Sequence, residues 1–159
     1  MMRTNYLREK LKMIQENRWN HILGVARRAK DLAAKLQPDN PQYAEDMFLL
    51  GILHDFAYEF RGKGHALAGG EILKRNGYRY WREVSEHGHV ENVNLTDELF
   101  ILDCADMTTS PSGENMSFEQ RAEEIAMRFG SDSEAYLNVL QEIDMLKKDK
   151  RYETIFAEK

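Results

Sequence analysis

A chain of 159 residues, of which 42% are hydrophobic and 31% are charged, is typical of one globular domain and not of a disordered segment. The net charge of −5 disfavours a broad nucleic-acid surface, the single cysteine excludes an internal disulfide framework, and no apolar run approaches the roughly 20 residues that span a bilayer. The charged N-terminus lacks an apolar signal core, so we expect a cytoplasmic protein with no nucleic-acid or membrane partner.

Helical patterns dominate the first third of the chain. Residues 3–17 predict a partly amphipathic first helix. Apolar side chains at three- and four-residue steps predict a second helix, with Asn20 as its N-cap. Asn40 followed by Pro41 predicts the start of a third helix, whose apolar run (LGIL) leads directly into a His-Asp pair.

The remaining sequence predicts further helices and no alternating strand pattern. Gly77 is a C-terminal helix stop, Thr96 or Asn94 caps a later helix, and "SFEQ" is a capping-box pattern. The segment "SPSGENM" is either a plain loop or a substrate lid. We therefore predict an all-α fold, in which residues 1–159 form one bundle of about seven or eight helices. Its core covers about 20–110, and 117–159 form a C-terminal helical cover or a homodimer surface.

Histidines and aspartates fall at the ends of these predicted helices. Imidazole and carboxylate groups suit Fe, Mn and other divalent first-row metals, and helix ends that meet in one cleft can present several such ligands together. Two ions that share a carboxylate can generate a hydroxide nucleophile and neutralise a phosphoryl group. The candidate ligands are His21, His54, Asp55, His65, His87, His89, Asp103 and Asp106.

The order of His21, then His54-Asp55, then Ala105-Asp106 resembles the HD-domain superfamily of metal-dependent phosphohydrolases. That all-helical family is named for its His-Asp dyad. The similarity covers roughly residues 20–110 of this chain. It implies an enzyme that hydrolyses a phosphate ester or anhydride of a nucleotide or related metabolite, through a hydroxide that bridges the metal ions.

Two further histidines, in "GHALAGGEIL" and "VSEHG", resemble the dinuclear branch of this family, which includes symmetrical diadenosine tetraphosphate hydrolases. The resemblance implies one or two divalent ions, with Fe or Mn favoured and Co, Ni, Zn or Mg as alternatives. The implied ligands of the first ion are His21, His54, Asp55 and Asp106. Those of the second ion are Asp55, His65 and His87. Asp55 and His65 are also the expected catalytic residues, with His65 able to protonate the leaving group if it binds no metal.

Several alternatives stay open at this point. His89 competes with His87, and Asp103 competes with Asp106; we favour His87 and Asp106, and expect Asp103 to accept a hydrogen bond or cap a helix. Many relatives follow the dyad directly with Ile-Gly-Lys. This chain has Phe-Ala-Tyr there, so no lysine stands at that position. The candidate substrate-binding residues are Arg61, Lys63, Arg82 and His89. The same ligands would also serve a di-iron oxygenase, and a nucleotide-binding module without catalysis is the other alternative.

Overall fold

The computed structural model describes residues 4–11, 14–58 and 64–157. In these ranges the chain forms helices and no strand, apart from one isolated bridge between Thr109 and Asn115, so the prediction of an all-α fold is confirmed. The helices are α1 (Thr4–Leu11), α2 (Glu16–Leu36), α3 (Pro41–Leu53), α4 (His65–Arg75), α5 (Trp81–Glu86), α6 (Asp97–Met107), α7 (Phe118–Phe129), α8 (Glu134–Lys148) and α9 (Arg151–Phe156). None of the helices in the described ranges is both long and apolar enough to cross a membrane.

Side-chain caps begin three of these helices where the sequence predicts them. The Asn40 side chain accepts a backbone N–H of α3, whose first residue is Pro41. Thr96, and not Asn94, caps α6 by accepting the N–H of Leu99. A reciprocal capping box between the third helical residue and its N-cap serine begins α7. Such caps satisfy N–H groups that a helix leaves without an internal partner.

The predicted cap at Asn20 is wrong. Helix α2 begins at Glu16, because Trp19 already donates its backbone N–H to the carbonyl of Gln15. Asn20 therefore lies inside the helix. The extra turn has a functional consequence, since it places Arg18 three residues before His21 on the same helix face.

Helices α2 and α3 pack closely along each other and build the centre of the core. The contact is tightest at Gly51, where an added Cβ would lie 2.5 Å from the Cα of Ala26. Apolar side chains from α2, α3 and α6 build this part of the core with almost no exposure; the largest are Phe100, Ile22, Leu32, Met47, Leu50, Leu53, Leu99, Ile101 and Leu102. This packing holds the C-terminal end of α3, where the His-Asp pair lies.

The segment 110–116 is a hydrogen-bonded turn fixed against α2. Ser110 donates its N–H to the carbonyl of Glu114 at 2.7 Å. Gly113 has a φ of +91° and packs on Gly24, where a Cβ would lie 2.5 Å from the Gly113 carbonyl oxygen. Both positions therefore require glycine, one for its backbone conformation and one for space. The segment forms a hydrogen-bonded loop, and a role as a substrate lid stays a prediction.

The C-terminal helices pack back onto the core. Helix α9 contacts α2, and α8 contacts α6. Phe118, Tyr152 and Phe156 form an aromatic cluster with ring centroids 4.9–6.1 Å apart. The guanidinium of Arg28 lies 5.7 Å from the Phe156 ring. These contacts bring α7 and α8 beside the end of α6.

We predict that Gly51→Ala lowers the free energy of unfolding by about 1–3 kcal/mol, because the new methyl group meets backbone atoms that cannot move aside. Gly69→Ala is the matched control: this helical glycine has no atom within 3.4 Å of an added Cβ, and helix propensity favours alanine by up to about 1 kcal/mol. Urea unfolding followed by circular dichroism measures both. Equal stability of the two variants would contradict the close approach of α2 and α3.

Candidate metal centre

The structure brings all six predicted ligands together. They come from five helices or helix ends: α2, the end of α3, the first residue of α4, the end of α5 and the last turn of α6. In the described part of the chain, they form three overlapping groups whose ligand atoms lie within 4.8 Å of one another. These groups are His21–His54–Asp55, His54–His87–Asp106 and Asp55–His65–His87.

Backbone carbonyls orient three of the imidazoles in the same way. The Nδ1 atoms lie within hydrogen-bonding distance of a carbonyl oxygen in the pairs His21–Ser110 (2.9 Å), His54–Gly51 (2.6 Å) and His87–Val84 (2.6 Å). Because a carbonyl only accepts, each Nδ1 carries the proton, and in a neutral ring Nε2 presents a lone pair. Histidines that bind metals are commonly held in this way. The Nε2 of His54 is buried and has no hydrogen-bond partner among the described residues.

The carboxylate of Asp55 lies between the ring nitrogens and is 4% exposed. Its Oδ1 is 2.8 Å from Nε2 of His65 and 3.3 Å from Nε2 of His87. Its Oδ2 is 3.4 Å from Nε2 of His54 and 4.0 Å from Nε2 of His21. Each oxygen thus faces one pair of imidazoles. This is the arrangement in which one carboxylate can bridge two ions.

Asp106 completes the other side of the site. Its Oδ1 lies 2.9 Å from Nε2 of His21 and 3.7 Å from Nε2 of His54. A neutral imidazole with its proton on Nδ1 would face this carboxylate lone pair to lone pair, which is repulsive unless a cation lies between them. The donor set therefore fits a divalent metal ion.

The electrostatics of the cluster favour positive charge at its centre. Burial acts to lower the pKa of His54, but the negative charges of Asp55 and Asp106 outweigh it and raise that pKa to about 9. Burial acts to raise the pKa of both carboxyls, yet the neighbouring imidazoles hold the pKa of Asp55 and of Asp106 well below its usual range. Both aspartates are therefore ionised and ready to bind a cation.

Two arginines at the site were not predicted as site residues. The Nη1 of Arg18 lies 3.2 Å from Oδ2 of Asp55, and its guanidinium stacks 3.5 Å above the Tyr58 ring. The Nη2 of Arg121 donates to the backbone carbonyl of Asp106 at 2.8 Å. The position of Arg18, one helical turn before the first histidine, was a usable signal. For Arg121, fifteen residues beyond the last ligand, the sequence offers none.

A cavity of about 690 Å³ opens above the cluster. Its walls include the start of α4 and the two arginines Arg18 and Arg121. Side chains of α7 and α8 also line it, so the expectation that 117–159 serve only as cover or dimer surface is incomplete. These helices contribute directly to the space in which a ligand can bind.

The four predicted substrate-binding residues differ in where they lie relative to the cavity. His89 is exposed and lines the cavity, so its contact with substrate stays a prediction. Arg82 is exposed, lies 5.2 Å from the Trp81 ring and does not line the cavity, so the structure does not bring it to the site. Arg61 and Lys63 lie outside the described residues.

The two competing candidates, His89 and Asp103, are not part of the ligand cluster. Neither His89 nor Asp103 belongs to a ligand group among the described residues, whereas His87 and Asp106 do. Asp103 is fully buried and accepts the backbone N–H of Gly88 at 3.1 Å, as expected. Its role is thus to hold the turn that follows His87.

A second pair of carboxyls is buried behind the site. Burial, followed by the charge of Asp106, raises the pKa of Glu142 to about 8 against the opposing effect of Arg121. Burial, followed by the charge of Glu142, raises the pKa of Asp103 well above its usual range. One oxygen of each, Oδ2 of Asp103 and Oε1 of Glu142, has no hydrogen-bond partner in the described structure. This pair is therefore costly to ionise.

A model of the HD domain family matches residues 18–110, which is more than half of the chain, and the protein belongs to this family. Comparisons with curated proteins and with solved structures give no significant match. The matched segment includes all six predicted ligands. Helices α7 and α8 lie beyond it.

We predict that the protein purified without chelator carries divalent metal and that Asp55→Asn loses at least nine-tenths of it. The amide keeps the shape of the side chain but removes the charge between the two groups of imidazoles. His89→Ala, which alters the cavity wall only, keeps the wild-type metal content. Elemental analysis measures metal per chain, with circular dichroism as the folding control. Equal metal content in the two variants would contradict the site assignment.

A second prediction concerns pH and the buried Glu142. Its carboxyl ionises near 4.5 when unfolded and near 8 when folded, so the folded state retains the proton between these values. Its contribution to stability is therefore present below pH 4.5 and is lost as pH rises towards 8. In chelator-treated protein we expect Glu142→Gln to exceed wild type by about 1–3 kcal/mol at pH 8 and by much less at pH 5.

Urea unfolding at the two pH values tests this expectation, with Glu123→Gln as the control because Glu123 is exposed on α7. The control should show the same difference from wild type at both pH values. A Glu142→Gln variant that is no more stable than wild type at pH 8 would show that burial of this carboxyl is not costly.

Proposed function

We propose that the protein is a metal-dependent phosphohydrolase that acts on a nucleotide or a related phosphate ester or anhydride. The observation that carries this proposal is the position of Asp55, whose two oxygens face two pairs of imidazoles at the base of a cavity. HD domains bind divalent metals and are typically hydrolases, which supports the same function.

The six candidate ligands would hold two ions. His21, His54 and Asp106 would hold one ion, His65 and His87 would hold a second, and Asp55 would be shared. Fe or Mn suits this mixture of imidazole and carboxylate ligands best. Divalent ions bound there would activate a water molecule at neutral pH and neutralise charge on a phosphoryl group.

Arginines would bind the oxygens of the phosphoryl group. Arg18 and Arg121 both line the cavity, and both already contact the aspartates of the cluster. Guanidinium groups bind phosphate oxygens in two-point geometry, and their charge increases in effect where water is excluded. His65, whose side chain is 24% exposed at the cavity, is the residue placed to protonate a leaving oxygen if it is not bound to metal.

Within the family, we place the chain nearest to the dinuclear branch that contains symmetrical diadenosine tetraphosphate hydrolases. The support for this placement is the position of His65 and His87 on one oxygen of Asp55, opposite to His21 and His54. Dinucleoside polyphosphates are therefore the first substrates to test. Nucleoside mono- to triphosphates, guanosine alarmones and cyclic nucleotides follow.

We predict phosphate or nucleotide release from at least one of these compounds by protein loaded with Mn²⁺ or Fe²⁺, and loss of that release with chelator. Asp55→Asn should lower kcat at least 1000-fold, because removal of a central catalytic group costs this much in comparable sites. Lys148→Gln is the control, since Lys148 is exposed on α8 and pairs with Asp144 away from the cavity. Product formation is followed by chromatography.

The same assay separates the alternatives. Substrate-dependent oxygen uptake without phosphate release would replace the proposal by an oxygenase. Tight nucleotide binding by metal-loaded protein, without turnover of any compound, would replace it by a binding module.

A further inference from the structure

One face of α7 forms a continuous wall of the cavity. Arg121, Ile125 and Arg128 all line it, and they follow each other at steps of four and three residues, which places them on one side of the helix. Because an α-helix rises 1.5 Å per residue, this row extends about 10 Å from its first residue to its last. Helix α7 lies beyond the segment that the HD family model matches, so the wall is a feature of this chain.

The first arginine of the row lies directly beside the metal centre. Arg121 is 9% exposed, donates to the carbonyl of Asp106 at 2.8 Å, and has its Nη2 4.0 Å from the Oδ1 of Asp106. A phosphoryl group at the metal centre would therefore lie next to this guanidinium. The other end of the row, at Arg128, lies about 10 Å further along the helix.

The distal arginine has a different environment. Arg128 is about half exposed, and its only ion pair in the described structure is with Glu124, which also lies 3.5 Å from Nη1 of Arg121. A guanidinium has five N–H donors, and a single carboxylate cannot use them all. A helical pair four residues apart contributes only about 0.3–0.5 kcal/mol to stability, so an incoming phosphate can compete for the donors.

The wall between the two arginines is largely apolar. Ile125 of α7 lies between them in the row, and Asn138 and Val139 of α8 also line the cavity. From the metal centre outwards, the row therefore presents a guanidinium, an apolar side chain and a second guanidinium.

We propose that Arg128 forms a second subsite that binds a second phosphate group of the substrate, about 10 Å from the phosphate at the metal centre. The substrate class is then a bisphosphate whose neutral spacer packs against Ile125 and Val139. This inference rests on the proposed function for the identity of the first subsite. The C-terminal helices α7 and α8 would then determine which phosphate compounds the protein binds.

A matched pair of non-hydrolysable probes tests the subsite. Hexane-1,6-bisphosphonate and hexylphosphonate share the same apolar spacer and differ by one anionic group. Isothermal titration of the metal-containing protein should give at least fivefold tighter binding of the bisphosphonate. Arg128→Gln should weaken bisphosphonate binding five- to twentyfold and change hexylphosphonate binding by less than twofold, because only the former reaches this guanidinium.

Two further variants separate direct contact from a structural role. Lys148→Gln removes an exposed cation from a comparable helix pair on α8 and should leave both affinities unchanged. Glu124→Gln removes the carboxylate that competes for Arg128 and should leave bisphosphonate binding equal to or tighter than that of wild type. If Glu124→Gln weakened binding as much as Arg128→Gln, the ion pair and not the arginine would matter, and the subsite would be wrong. Equal wild-type affinity for the two probes would also overturn it.

Failure of this inference is distinguishable from failure of the proposed function. If the protein releases phosphate from nucleotides but binds the two probes equally, the subsite is wrong and the phosphohydrolase remains. If the bisphosphonate preference is present and depends on Arg128 while no compound is hydrolysed, the subsite stands and the catalytic assignment fails.

Discussion

The buried charge of Asp55 is the constraint on which the rest of the site depends. A carboxylate that is 4% exposed cannot remain ionised without compensating positive charge or hydrogen bonds, because water cannot solvate it. Here four imidazoles and Arg18 supply the surroundings, and each oxygen faces its own pair of ring nitrogens. The carboxylate is thus held ready for cations on two sides.

The fold meets this constraint by holding imidazole rings through hydrogen bonds at their Nδ1 atoms. Helix α3 can end at the site because Gly51 lets it approach α2, and the carbonyl of the same glycine receives the Nδ1 proton of His54. The turn 110–116, held on α2 by its contact with Gly24, supplies the carbonyl that orients His21. Two close backbone contacts in the core therefore determine which nitrogen His21 and His54 present, which connects packing to ligand geometry.

The sequence predicts the ligands better than it predicts the rest of the cavity. The six residues that the resemblance to the HD-domain family implies as ligands lie together in one cluster, and short-range signals such as Asn40 and Thr96 give the helix starts correctly. The cap at Asn20 fails because helix propensity extends α2 by a turn that the apolar periodicity does not show. Arg121 and the α7 wall were missed because their place at the site follows from tertiary packing, for which no local pattern exists.

The central claim is that one or two metal ions bind through the Nε2 atoms of the histidines and are shared by Asp55. A crystal structure with anomalous diffraction data collected at the absorption edge of the bound metal tests it most directly. We expect one or two anomalous peaks about 2.0–2.3 Å from Nε2 of at least two of the four candidate histidines and from an Asp55 oxygen, with Nδ1 of His21, His54 and His87 still on its carbonyl. A metal bound through Nδ1, or a peak away from Asp55, would contradict the account.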